Sequence, residues 1–326
     1  MIRDDGTVAS YPPAPDPSVE WWTTSDAARG TNELTPDRAV ALLRQGCAAV
    51  GLDPAGARLL RLGSNAVYRL SEPVVVRLSR RGVDVERVRR TVAVARWLGS
   101  VDFPAVRALD VDQPVSVDEH LLTFWEPVSD DGDRYASVGE VAEVLAGLHR
   151  LIPPESLHLP RLSPFQSADQ RIESSTWLDD ADRAYLVDRL AELRKRYAEL
   201  AFVLPEGVIH GDASVGNVLR DRQDNPILID LDGFAIGPRE WDLALTAVYY
   251  DSFGWHTREE YETFVHVYGF DIMQWPGYRT IRDVREFLMV TWILQKAPES
   301  ERIAAEVRKR IGALRTGASR KDWEPY

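Results

Sequence analysis

The chain has 326 residues, 44% hydrophobic and 28% charged, which is enough for a sizeable core and long for a single one, so one or two packed lobes are expected. Its 39 basic against 51 acidic residues leave a formal charge of −12, which argues against nucleic acid as a partner and suits a neutral or cationic small molecule, although solubility alone explains such a charge. One cysteine, Cys47, in an apolar stretch, excludes an intrachain disulfide and a cysteine zinc site and reads as a core thiol.

Met1-Ile2-Arg3-Asp4-Asp5 lacks the apolar core of a signal peptide. No uninterrupted run approaches the roughly 20 apolar residues of a membrane helix, so no membrane partner and a cytoplasmic location are expected. Residues 1–35 form an N-terminal extension with Pro12, Pro13, Pro15 and Pro17, then Trp21-Trp22, a pair costly to leave in water and expected to dock on the body. Thr35-Pro36-Asp37 opens a helix, with a capping residue, a proline in the first turn and an acid at the positive helix end. Ala39, Leu42 and Leu43 give it an apolar face, and it stops near Gly51.

From 58 to 79 the texture turns to β. Leu59-Leu60-Arg61-Leu62, Val67-Tyr68-Arg69-Leu70 and Val74-Val75-Val76-Arg77-Leu78 read as a small antiparallel sheet. Residues 84–99 are predicted helical, carrying Val88, Val92, Ala95 and Leu98 on one face. Two more strands are expected, at Val106–Val111 and Leu121–Phe124. Beyond Glu126-Pro127 the chain becomes mainly helical: Val141, Val144, Leu145 and Leu148 recur at helical spacing and end near His149. A Pro-rich connector over 151–165 precedes a long helix from about 179 to 200, opened by Asp179, Asp180 and Asp182. A short β-rich block at 207–235 interrupts the helices. The fold class is therefore α+β, a small antiparallel sheet lobe with a helix over 36–126 and a larger, mainly helical lobe with an embedded β-hairpin over 127–326.

The chemistry concentrates in Val208-Ile209-His210-Gly211-Asp212-Ala213-Ser214-Val215-Gly216-Asn217-Val218-Leu219, followed by Pro226-Ile227-Leu228-Ile229-Asp230-Leu231-Asp232. Apolar residues flank each polar cluster, so the polar groups should stand at strand ends, with Val218-Leu219 paired to Ile227-Leu228-Ile229 across a turn at Asp224-Asn225-Pro226. Phosphoryl transfer asks a protein for an oriented hydroxyl, metal ions on the phosphates and neutralised charge. Asp212 and Asn217 stand in the H-x-D-x-x-x-x-N spacing of protein-kinase catalytic loops, and Asp230 takes the place of the metal-binding acid on the next strand. In that scheme Asp212 orients and deprotonates the acceptor, while Asn217, Asp230 and Asp232 offer hard oxygens suited to Mg²⁺. A lone Asp in a loop is usually a turn former and a lone Asn a cap, and His210 reads as a structural hydrogen-bonding residue. Their conjunction carries the functional reading.

The sequence resembles the aminoglycoside phosphotransferase and choline kinase-like family. The resemblance rests on His210-Gly211-Asp212 with Asn217, on Ile229-Asp230-x-Asp232, on Gly237-Pro238-Arg239-Glu240-Trp241-Asp242-Leu243-Ala244 and, more weakly, on Leu145-Ala146-x-Leu148-His149. It spans roughly 36–315 and implies a protein-kinase-like two-lobe fold holding ATP or GTP. It also implies that Asp242 braces the catalytic loop, through His210 or nearby backbone, besides any role as a helix cap. The strand lysine usual in the family is missing: the four lysines are Lys195, Lys296, Lys309 and Lys321, and Arg77 stands at the matching place, expected to bind phosphate. Glu86 is the nearest acid to the family's ion-pair position, a turn too early. The glycine loop is reduced to Gly63-Ser64-Asn65, and Thr123-Phe124-Trp125-Glu126 is the expected hinge, its backbone meeting the base. No G-x-x-x-x-G-K-[ST], H-E-x-x-H or G-x-S-x-G occurs.

The resemblance implies a Mg-nucleotide-dependent phosphotransferase with an alcohol acceptor, an aminoglycoside, another antibiotic or an amino sugar. Asp251 and Glu259-Glu260-Tyr261-Glu262 are candidates for favouring a cationic acceptor, although a solvated helix face explains the latter equally, and Arg282–Gln295, with Trp292, is a candidate acceptor wall by family analogy. Alternative readings are a kinase of a peptide Ser/Thr or a sugar intermediate and, from another class, a nucleotide-binding pseudokinase. The missing lysine motivates the pseudokinase; the retained Asp212, Asn217 and Asp230 argue against it.

Overall fold

The computed structural model describes residues 34–62, 65–129 and 134–324. The extension with Trp21-Trp22 lies outside them, as do Gly63 and Ser64. The chain divides into two units, the first running to Arg89 and resuming over Ala108–Pro127, the second comprising Arg90–Arg107 and the residues from Val128 onward.

The first unit opens with helix α1 (Pro36–Ala49), where the Thr35 hydroxyl accepts from the Arg38 N–H and Pro36 occupies the first turn, as the sequence predicts. Strands β1 (Arg58–Leu62), β2 (Asn65–Arg69) and β3 (Val75–Ser79) follow, then α2 (Val85–Ser100), whose residues from Arg90 onward belong to the second unit, and β4 (Val115–Val117) and β5 (His120–Trp125). The five strands form one antiparallel sheet in the order β1-β2-β3-β5-β4, which puts β3 and its Arg77 in the middle. Alternation in β2 and β3 turns Ala66, Tyr68, Val76 and Leu78 inward against Ala39, Leu42, Leu43 and Cys47 of α1. Burial pushes the Cys47 thiol up to about 11, with Asp53 and Glu72 adding to it, so this cysteine is an inert core residue. Gly46 brings α1 close to the sheet, since a Cβ there would overlap the Leu122 side chain.

The strand expected at Val106–Val111 does not form. Its backbone is split between partners: Val106 N–H donates to the Leu228 carbonyl and Leu109 N–H to that of Phe124, both at 2.9 Å, so no ladder can propagate. The fourth sheet strand is β4, three residues that carry too little periodicity to read.

In the second unit, α3 (Val138–Leu148) begins at a capping box in which Ser137 and Glu140 satisfy each other's backbone N–H. It is followed by the short α4 (Ala168–Glu173), which falls between the connector and the long helix read from the sequence, and by α5 (Asp180–Ala198), opened by the expected acids, with the Asp179 carboxylate capping it by accepting from Asp182 N–H. Two ribbons then enter the helical body. Strand β6 (Glu206–Ile209) pairs antiparallel with β9 (Ala235–Pro238), and between them β7 (Val218–Arg220) pairs with β8 (Pro226–Leu228) in the expected hairpin, Val218 opposite Leu228. The chain continues into α6 (Glu240–Val248), a wide π-helical turn at Tyr249–Phe253, α7 (Arg258–Tyr268), α8 (Tyr278–Leu294) and α9 (Glu301–Thr316). Ile209, Ala235 and Trp241 join Val284, Phe287 and Val290 of α8 in one core, which anchors the ribbon ends. No helix among the described residues is long and apolar enough to cross a membrane.

Leu122 is completely buried at the centre of the sheet core. Leu122→Ala is expected to lower the stability of the first unit by about 2–5 kcal/mol in a urea titration, and an unchanged midpoint would contradict the packing.

Candidate active site

Three backbone and side-chain donors converge on one buried anion. Asp242, in the first turn of α6, has no exposed surface; its carboxylate accepts from His210 N–H at 2.7 Å, Gly211 N–H at 2.8 Å and His149 Nε2 at 3.1 Å. His149 follows the last turn of α3, and its Nδ1 shares a 2.8 Å hydrogen bond with the Tyr268 hydroxyl. Burial alone would push the Asp242 carboxyl up, but the hydrogen bond from His149, the electrostatic attraction of the His149 and His210 rings and the His210 N–H outweigh it, holding the group below the usual carboxylate range. Asp242 thus fixes the loop after β6 through its backbone.

That loop needs a particular backbone. Gly211 has φ +89°, and a Cβ on it would collide with the Gly233 carbonyl, so glycine is required there. A Cβ on Gly233 would in turn meet the His210 carbonyl at 2.7 Å, so the loops bearing Asp212 and Asp232 approach main chain to main chain.

His210 ties the two loops together. Asp212 N–H points at its Nδ1, at 3.3 Å, which leaves Nε2 to donate to the Ile229 carbonyl at 2.9 Å. Ile229 N–H donates in turn to the Asn217 carbonyl, also at 2.9 Å. Both backbone groups of the residue before Asp230 are therefore held by the segment that carries Asp212 and Asn217. Asp230 itself adopts a left-handed conformation, φ 55° and ψ 60°, which costs a non-glycine residue on the order of 1–3 kcal/mol and persists only where its surroundings impose it. Strain of this kind clusters at functional sites.

Asp212 is exposed beyond the loop. The Asn217 side-chain nitrogen donates to the Asp212 carbonyl at 2.7 Å and to its Oδ2 at 3.3 Å. This commits the amide nitrogen and leaves Oδ1 to accept or to ligate. The Asp232 Oδ1 accepts from the Thr91 hydroxyl of α2 at 3.0 Å. Among the described residues, no group of three or more His, Cys, Asp or Glu side chains forms a ready metal site. The oxygen set of Asn217, Asp230 and Asp232 fits Mg²⁺ of the kind completed by water and substrate phosphates, which uses only one or two carboxylates.

Residues 57–284 match the family model described as APH, phosphotransferase enzyme family. The chain belongs to this family. It is a phosphotransferase of the small-molecule kinase type, using a nucleotide to phosphorylate a hydroxyl group. Among solved structures it is similar to the amicoumacin kinase hAmiN in complex with AMP-PNP, Ca²⁺ and Ami, at 13% identity and TM-score 0.68, over 87% of this chain and 95% of that one. A choline/ethanolamine kinase family protein from Mesorhizobium loti aligns at 18% identity and TM-score 0.57, covering 84% and 94%. The aminoglycoside phosphotransferase APH(3'')-Id from Streptomyces rimosus aligns at 20% identity and TM-score 0.55, covering 78% and 99%. These likenesses show the fold, the small antiparallel sheet and larger helical part expected from the sequence. None of the curated proteins matches.

In this phosphotransferase, the residues expected at the nucleotide lie in the first unit. Arg77, half-buried on β3, is opposite Val67 and Thr123, and Asn65 opens β2 opposite Ser79. Phe124 is a core residue whose backbone is already engaged: its N–H donates to Gln113 Oε1 at 2.8 Å, and its carbonyl accepts from Leu109 N–H and Gln113 Nε2. Of the expected hinge, Glu126 is the exposed residue beyond the strand. Glu86 pairs with Arg89 of its own helix at 2.6 Å.

Asp251, Glu260 and Glu262, three of the acids named for a cationic acceptor, have partners within the fold. Asp251 accepts from Tyr278 and Arg282, both at 3.2 Å, Glu260 closes a capping box with Thr257, and Glu262 faces Arg258 at 3.7 Å. Two residues at the loop escape any motif: Arg285 of α8 donates to the Gly211 carbonyl, and Thr91 reaches Asp232 from α2.

Because the Asp242 carboxyl is depressed in the folded protein, its stabilisation is fully present above the unfolded carboxylate pKa of about 3.9 and is lost as pH falls through the folded value. Asp242→Asn is expected to cost about 1–3 kcal/mol at pH 7 in urea titrations, with the gap to the parent protein narrowing below about pH 4. A gap that stays constant with pH would contradict the buried-anion brace.

Proposed function

We propose that this phosphotransferase transfers the γ-phosphate of ATP or GTP, with Mg²⁺, to a hydroxyl of an aminoglycoside, another antibiotic or an amino sugar. The observation that carries the reading is the Ile229 tie, which joins the Asp212 and Asn217 segment to strained Asp230 in the second unit. A base beside a metal-ligand set is what in-line phosphoryl transfer requires, since catalysis there is positioning and charge stabilisation.

Asp212 orients the acceptor hydroxyl and takes its proton as the oxygen attacks the γ-phosphorus. The bond from that phosphorus to its bridging oxygen breaks, and the nucleoside diphosphate leaves with the electron pair. Bound Mg²⁺ neutralises charge on the phosphate oxygens; Asn217, Asp230 and Asp232 would hold it. His210 carries no chemistry and keeps the two loops in register. Arg77 takes the phosphate role of the usual lysine, Gly63, Ser64 and Asn65 cover the phosphates, and the backbone around Glu126 meets the base. The likeness to amicoumacin and aminoglycoside kinases supports an antibiotic acceptor, and such an activity would serve resistance in the cytoplasm, where nucleotide is supplied.

The test is Asp212→Asn in the full chain, assayed for turnover of Mg·ATP and Mg·GTP and for nucleotide affinity. Turnover is expected to fall about 10²–10⁴-fold, the usual contribution of a general base, with nucleotide Kd changed by less than about threefold. Unchanged turnover would remove Asp212 from the chemistry.

A further inference from the structure

Arg285 is buried, only 6% exposed, and sits one residue beyond the segment 57–284 that the family matches. Its hydrogen bonds go to carbonyls. Nη1 donates to Gly211 O at 3.2 Å and Nη2 to Trp241 O at 2.7 Å, while the guanidinium stacks 3.8 Å over the Trp241 ring. Its Nε has no partner among the described residues. Burying a guanidinium on neutral acceptors is expensive, so its place calls for a physical reason. Burial lowers its pKa, and the carboxylates of Asp212 and Asp242 act through space to oppose that.

The reason lies in one peptide group. Gly211 O accepts a second hydrogen bond, from Trp241 Nε1 at 2.8 Å, and the N–H on the other side of the same peptide, that of Asp212, points at His210 Nδ1. The peptide joining Gly211 to Asp212 is thus held at both ends. A glycine at φ +89° has little steric preference for where its carbonyl points, so the donors must decide it. Rotation of this peptide would displace the Asp212 nitrogen, tilt the Cα–Cβ bond built on it and so shift the carboxylate by a fraction of an ångström to about one ångström, the scale of misplacement that costs catalysis.

We infer that Arg285, stacked on Trp241, is a positioning residue that locks the Gly211–Asp212 peptide and so aims the Asp212 carboxylate at the acceptor hydroxyl. The inference rests on the reading of Asp212 as the base. It adds a determinant from α8, Arg285, which lies 74 positions from Gly211 in the chain.

The test uses the full chain with water as the acceptor, following phosphate release from Mg·ATP and Mg·GTP, with Mg·ADP affinity and hydrogen exchange measured in parallel. Arg285→Lys keeps a cation but loses the two-carbonyl fork. It is expected to lower kcat about 10–100-fold, as a small misplacement of a catalytic group does, with Mg·ADP Kd within about threefold of the parent. Trp241→Phe removes one donor to Gly211 O while keeping a ring for the stack, and its effect on kcat should be non-additive with Arg285→Lys. In Arg285→Ala, added millimolar guanidinium should restore turnover where ammonium does not. Exchange of the amides over 209–213 should rise in both Arg285 variants while the rest of the unit keeps its protection.

Asp212→Asn separates the two claims. If it loses turnover while the Arg285 variants keep the parent kcat and exchange, the positioning role is overturned and the base stands. If kcat in the Arg285 variants falls only with the folded fraction and guanidinium restores nothing, Arg285 is merely structural and the inference fails. If Asp212→Asn keeps full turnover, the base reading fails and the inference with it.

Discussion

A carboxylate sealed from water is stable only where donors replace the solvent it has lost. Asp242 meets that condition with two backbone N–H groups of the His210 loop and the imidazole of His149, and the rest of the site depends on this arrangement. The carboxylate fixes the backbone of His210 and Gly211; His210 fixes Ile229; Ile229 fixes Asn217 and the strained turn at Asp230. Each link is a hydrogen bond of 2.7–3.1 Å between buried or half-buried groups. A charge that is costly to bury thereby becomes the reference point for groups that remain open to solvent.

The economy of the arrangement suits its chemistry. Phosphoryl transfer needs few covalent partners and close control of position. The ribbons that supply the control are only three or four residues per strand, and they hold because their apolar members, Ile209, Val218, Leu228 and Ala235, are buried in the helical body. The mutual approach of Gly211 and Gly233 removes side chains where the two loops meet, so Asp212 and Asp232 leave from backbones in direct contact.

Much of this was legible in the sequence because it is local. The cap at Thr35 and the acids that open α5 follow from side chains that act on their own helix, and the β7–β8 hairpin from apolar pairs around a short turn. The segment from His210 to Asn217 and the Ile229-Asp230 strand end are recognisable because their spacing is dictated by the geometry they build. What escaped reading is non-local or short. Strand β4 has three residues, α4 has six, and the stretch expected as a strand at Val106–Val111 shares its N–H groups between two partners. His149 stood in a weak motif with no assigned partner, and its bond to Asp242 spans 93 positions. Arg285 carries no local signal, since a charged residue on an amphipathic helix reads as a solvated one until the fold buries it. Tertiary contacts likewise redirect Glu260 and Asp251 to capping and ion pairing.

The central claim is that the second unit of this phosphotransferase aligns Asp212 for direct transfer from a magnesium nucleotide to a small hydroxyl compound. The measurement that reaches it most directly is incubation of the protein with Mg·ATP or Mg·GTP and a panel of aminoglycosides, nucleoside antibiotics, amino sugars and choline-like alcohols, scored by acceptor mass. The account predicts that at least one acceptor gains the mass of a single phosphate, in step with the nucleoside diphosphate formed. Nucleotide that binds with Mg²⁺ but transfers phosphate to no member of such a panel would contradict it.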